Sequence, residues 1–229
     1  MRKILGSDGK EKIQLRIELG VLQMNTSGRP DGQRPHGFES LLAWHVDRAK
    51  QREAASEEYA LTADECGELQ QEGIQYYHRY ISLFQLNDFP GVIRDTQRNL
   101  DLFTFVSKYS DREEVVQSFE QFRPYVLMMN TRAKASIELE REDYDAAVRQ
   151  IERGREKIRA AYVDAGNPEG ATSSPEIGFL NEWLEEVRQK RPLTKLERLQ
   201  KEMDIAIASE AYERAAELRD AINKCRQVD

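Results

Sequence analysis

From residue 65 to residue 190 the chain repeats one pattern: apolar side chains recur at steps of three and four, then a short breaker intervenes, then the steps resume. That period is the signature of amphipathic helices, and it commits more than half of the chain to a helical fold. In ELQQEGIQYYHRYISLFQL the stripe is Leu69, Tyr76, Tyr80 and Leu83, and it ends at NDFPG. Asp88 is placed to cap a second helix, with Pro90 in its first turn and Val92, Ile93, Leu100, Phe103 and Val106 along it. Asp111 is placed to cap a third helix. Pro124 interrupts the pattern ahead of PYVLMMNTRAKASIELE, and REDYDAA turns the chain into a further helix through Ala147, Ile151 and Ile158. Within QYYHRYISLF, Tyr76 and Tyr80 are expected inside the bundle; the other reading of this run is an aromatic surface for a peptide.

The ends differ from the middle. Ile13, Leu15, Ile17, Leu19 and Val21 alternate with Gln14, Arg16, Glu18 and Gly20, a period of two that predicts a strand, and Gly6-Ser7-Asp8-Gly9 before it predicts a hairpin turn. The alternation slips at Val21-Leu22, which predicts a bulge or the strand's end there. Gly28, Pro30, Gly32, Pro35 and Gly37 then make a loop, in which Arg29, Arg34 and His36 are the candidates for an anion or an acidic partner group. A helix is expected from Glu39, with Leu41, Leu42, His45 and Val46 on one face. DAGNPEGATSSPE, residues 164 to 176, reads as a linker, and IGFLNEWLEEVRQK as a short helix with Phe179, Leu180, Trp183, Leu184 and Val187 as its stripe. The expected organisation is therefore β-hairpin and loop (1–38), helical bundle (39–163), linker (164–176), connecting helix (177–191) and C-terminal helical hairpin (193–229): a mainly α fold.

The last segment runs LTKLERLQKEMDIAIASEAYERAAELRDAINKCR. Leu196, Leu199, Met203, Ala206 and Ile207 recur in its first half, and Ala211, Ala215, Leu218, Ile222 and Cys225 in its second. Ala208-Ser209-Glu210 is short enough to fold the halves into an antiparallel pair, with Ser209 as a cap. Alanines let the helix axes approach closely but bury little area, so at ~25 cal/mol per Å² the pair has a small core, and its stripe calls for another partner.

Two resemblances follow from these residues. AKASIELEREDYDAAVRQIERG resembles the helix-turn-helix of a tetratricopeptide repeat, with Ala135, Tyr144, Ala147 and Ile151 at its characteristic positions, and LFQLNDFPGVIRD has the same rhythm with Phe89 where Tyr144 stands. The two aromatics are spaced far wider than the ~34-residue period of such repeats, which leaves a helical-hairpin architecture without a tandem array. At the C-terminus Leu199, Met203, Ala206, Tyr212-Glu213, Ala215-Ala216, Leu218-Arg219-Asp220 and Ile222 resemble the UVR motif, the helical hairpin at the end of UvrB and within UvrC. In that family the hairpin is a protein–protein contact element, carried also by bacterial chaperone ATPases and their adaptors, and it can self-associate. The resemblance implies a protein partner or a second copy as the ligand. Physically, Tyr212 offers a large amphipathic contact and Arg219 and Asp220 charged ones, and Asp220 is also spaced to pair with Lys224 one turn on.

Composition bears mainly on what is excluded. A net charge of −7 argues against a generic nucleic-acid or acidic-membrane binder. The two cysteines, Cys66 and Cys225, have no CxxC neighbour and are expected as free thiols. The N-terminus has no apolar h-region and no apolar run approaches ~18 residues, so a cytoplasmic protein is expected. No GxxxxGKS/T loop, HExxH, GxSxG or GxGxxG occurs, and His36, His45 and His78 are scattered, so no catalytic residue, metal ligand or cofactor is assigned. The expectation is a non-enzymatic interaction or adaptor protein. The alternatives are a DNA-repair-associated factor drawing on Arg29 and Arg34, and an enzyme with its site between the Gly/Pro loop and the bundle.

Overall fold

The computed structural model describes residues 1–193 and 195–226, of which Lys195 and Arg226 are described by backbone alone. The chain forms two compact units, Met1–Val187 and Arg188–Asp229. It is mainly helical, with a small antiparallel sheet at the N-terminus.

The sheet has three strands rather than two: β1 (Arg2–Leu5), β2 (Glu11–Ile17) and β3 (Gly20–Asn25), in that order. The first reversal lies in the Gly6–Gly9 turn, where the Gly6 N–H donates to Lys10 and Gly9 takes a positive φ of 73°. A second reversal at Glu18-Leu19 falls inside the run read as one strand, because Ile17 pairs with Gly20. The slip at Val21-Leu22 was thus the mark of a chain that had already turned: Leu22 and Met24 come back opposite Leu15 and Ile13 on the same face, while Leu19 stands fully exposed at the tip. Ile13, Leu15 and Met24 are buried in one cluster with Tyr80 and Leu83, so the sheet rests on a helix.

Seven helices follow in this unit: α1 (Leu41–Ala54), α2 (Ala63–Gln85), α3 (Phe89–Tyr109), α4 (Glu113–Glu120), α5 (Arg123–Glu140), α6 (Tyr144–Asp164) and α7 (Pro175–Lys190), whose last turn crosses the division. Ser40 caps α1, and Thr62 with Glu65 forms a reciprocal capping box on α2. Asp88 caps α3 through the Gly91 N–H, as expected. Asp111 caps nothing: α4 starts after Arg112 without a side-chain cap, and its acidic first turn, Glu113-Glu114, favours the helix dipole instead. α2–α3 and α5–α6 are the two helical hairpins, and α3 packs against α5 to join them.

Both hairpins turn the same way. Asn87 and Glu142 adopt left-handed conformations, φ 57° and 59°, and the next N–H, of Asp88 or Asp143, reaches back to Leu83 or Glu138 at 2.9 Å. That aspartate then caps the second helix, whose first residue is aromatic: Phe89 or Tyr144. Ala133, Ala135, Ala147 and Ile151 line the α5–α6 contact, fully buried.

A charged layer is buried with the core. Arg79 grips Asp95 with two hydrogen bonds, 2.6 and 2.8 Å, and donates to the carbonyls of Asn25 and Gly28. Glu72 accepts from the Leu41 and Leu42 amides, finishing the first turn of α1, and pairs with Arg98. Tyr76 lies within 4.8 Å of the Arg79 guanidinium and 4.2 Å of that of Arg98. These pairs tie the Gly/Pro loop and α1 to α2 and α3.

The stretch 164–176, expected as a linker, holds a 3-10 turn at Pro168–Ser173, after which the buried Ser174 accepts from the Ile177 N–H at the start of α7. α7 then buries Ile177, Leu180, Leu184 and Val187 in the core of the first unit, so the division between units falls within its last turn.

Candidate functional site

The second unit is an antiparallel pair, α8 (Lys195–Ala208) and α9 (Tyr212–Arg226). Its turn repeats the geometry of the two hairpins above: Glu210 takes φ 61°, and the Ala211 N–H reaches back to Ala206 at 2.8 Å. The residue that follows is again aromatic, Tyr212. The position held by Asp88 and Asp143 is here Ala211, which has no side-chain acceptor. Ser209 does not supply the missing cap; its hydroxyl donates backwards to the carbonyls of Ile205 and Ala206, at the end of α8.

α8 and α9 pack along their length, and Ala206, Leu218 and Ile222 are buried. Leu196, Leu199, Met203, Ala215 and Cys225 are half-buried beside them, which accounts for the three- and four-residue spacing. Ile207 and Ala211, read as part of the same stripes, are exposed instead, because the first ends α8 on its outer side and the second lies in the turn. Ile205 (60% exposed), Ile207 (50%) and Tyr212 (68%) are thus the large apolar side chains that this pair leaves to solvent. Phe89, at the position equivalent to Tyr212 in the α2–α3 hairpin, is only 7% exposed.

The charged residues of α9 pair mostly with one another. Arg219 holds Asp220 through two hydrogen bonds of 3.0 and 2.9 Å to one oxygen, which replaces the expected Asp220–Lys224 pair. Both are well exposed, so the pair contributes little to stability. Arg214 pairs with Glu217 at 3.0 Å and reaches Glu202 of α8 at 3.6 Å. Glu213 and Ala216 are exposed.

The loop candidates do not form an anion site together. Arg29 is half-buried against carboxylates of this chain, Glu72 at 3.2 Å and Asp31 at 3.4 Å. Arg34 donates to the Gly37 carbonyl, closing its own turn. His36 stacks on Trp44, ring centroids 3.8 Å apart, with the Arg48 guanidinium also over Trp44. A loop rich in Gly and Pro gave no hint that its arginine would pair with Glu72, far along the chain. His45 is fully buried with Nδ1 2.6 Å from the Tyr59 hydroxyl. Among the described residues, no group of three or more His, Cys, Asp or Glu side chains is placed to hold a metal ion, and no helix is long and apolar enough to cross a membrane.

Residues 194–228 match the UVR family model, the UvrB/UvrC motif. The match falls on α8 and α9, and the UVR motif is a helical hairpin that mediates protein–protein interaction. No curated protein and no solved structure matches the chain.

Proposed function

We propose that this chain is a non-enzymatic adaptor, a folded helical body that carries a UVR hairpin for docking a protein partner or a second copy of itself. The observation that carries the reading is the UVR match over residues 194–228, on a hairpin that leaves Ile205, Ile207 and Tyr212 open to solvent after α8 and α9 have closed on Leu218 and Ile222. Tyrosine offers a large contact area at low conformational cost together with a polar tip, the kind of side chain on which interface energy concentrates. The Arg219–Asp220 pair and Glu213 add exposed charged groups on α9. A cytoplasmic setting fits the two free thiols, Cys66 and Cys225. The nucleic-acid alternative draws on Arg29 and Arg34, and both are engaged within the chain.

The test is a double substitution that leaves the fold alone. Tyr212→Ser with Ile207→Ser changes only exposed side chains, so helical circular dichroism should stay as in the parent. Recovery of partners by the full-length protein after crosslinking in its native lysate, or its self-association in sedimentation, should fall at least about tenfold, since interface anchors of this type contribute about 1–2 kcal/mol or more each. Unchanged recovery together with unchanged self-association would remove the hairpin as the docking element.

A further inference from the structure

Between α2, α3, α4 and α5 of the first unit lies a cavity of about 700 Å³ that the UVR reading does not use. Its walls are mostly apolar, with Tyr77 and Tyr80 from α2, Phe103 from α3, Phe119 from α4 and Tyr125 from α5. The size falls within the ~300–1,000 Å³ of clefts that take small organic ligands. At its mouth Ile74, Tyr77 and Phe122 are 42%, 37% and 51% exposed, a cluster of large apolar side chains without cover.

Polar groups around the cavity define what it would take. Tyr80 is 1% exposed, and among the described residues its hydroxyl has no hydrogen-bond partner. Burial pushes its pKa up, with Tyr125 and Tyr77 adding to the effect, so the phenol stays a neutral donor. His78 Nδ1, on the same wall, is buried without a partner among the described residues. A buried polar atom left in this way is costly unless a ligand or water satisfies it. No lysine or arginine lines the cavity, so no permanent cation is there to neutralise a phosphate or carboxylate. Its one carboxylate, Glu176, accepts from the Ser174 hydroxyl. A peptide would bring a row of main-chain groups needing partners, and the walls offer few.

We propose that this cavity binds an uncharged, largely apolar small molecule that presents a hydrogen-bond acceptor to the Tyr80 hydroxyl. The probe is Nile red, a neutral dye with a ring body and a carbonyl, titrated into the full chain. One saturable site per chain is expected. Ser118→Phe fills the cavity from α4 and Ile74→Asp places a charge at its mouth; each should weaken the dye by at least about tenfold, and Tyr80→Phe by several-fold. The Ile74 side chain is already exposed, so Ile74→Asp reports even where Ser118→Phe disturbs folding. Tyr212→Ser with Ile207→Ser should leave the dye untouched. Binding that never saturates, or that both cavity variants retain at the parent's affinity, would overturn the proposal. So would a dimer that Ile74→Asp dissociates while no dye is taken up, which would give this surface to a second copy.

Discussion

His45 shows how much a single buried side chain can set the behaviour of the body. Burial holds its pKa at about 4, with Arg48 and His36 pushing the same way and Glu65 opposing them. Whichever tautomer it adopts, Nδ1 serves Tyr59 and Nε2 has no partner among the described residues. The folded state therefore resists a proton that the unfolded chain accepts near pH 6.5. Its contribution to stability is complete above about pH 6.5 and is lost as pH falls toward 4, at about 1.4 kcal/mol per unit, on the order of 3 kcal/mol in all. His45→Gln keeps a hydrogen-bonding group beside Tyr59 but does not titrate. Urea midpoints measured from pH 7 to pH 4 should fall less steeply in the variant, and parallel slopes would show that other groups dominate. Sequence indicated only a helical histidine on an apolar face; the partner that fixes its role, Tyr59, comes from outside the helix. Arg79 and Asp95 were equally silent, since an i, i+16 pair on different helices has no local signal.

At the scale of elements, what could be read was whatever the local chain decides by itself. Asp88 with Pro90 is a start signal written within three residues and was legible, as was the turn at REDYDAA into the next helix; the cap at Asp143 was not singled out. The Glu18-Leu19 reversal was not, because its flanking residues kept the strand's period of two through the turn. The helix α7 was legible as a helix, yet its membership of the first unit rests on Leu180 and Leu184 meeting side chains distant in sequence. The three hairpin turns share one backbone geometry, and the third lacks the aspartate that the other two use. Ala211→Asp should restore it, its carboxylate accepting the Arg214 N–H as Asp88 accepts that of Gly91, and stabilise the hairpin by about 1 kcal/mol. Site-resolved amide exchange in α9 should slow correspondingly, roughly five-fold, and faster exchange would show that the turns are alike in backbone only.

For the whole molecule, the division into two compact units sets how perturbations spread. The first unit holds two broad hydrophobic clusters, whereas the hairpin has Ala206, Leu218 and Ile222 as its buried apolar residues among those described. So small a core leaves little reserve: Leu218→Ala should cost about 2–3 kcal/mol, a large share of what a pair of short helices can hold. If the units are separate in cooperativity as well as in contacts, Leu218→Ala should abolish exchange protection throughout α8 and α9 and leave that of α2, α3, α5 and α6 at parental values. Docking should then fail through loss of the hairpin itself, unlike the Tyr212 variant, whose α8 and α9 amides remain protected. The pair of variants thereby distinguishes a surface that must be present from a scaffold that must be folded. Equal loss of protection in both units would mean that the hairpin is a cooperative part of the body, and the picture of an independently folded docking element would have to be given up.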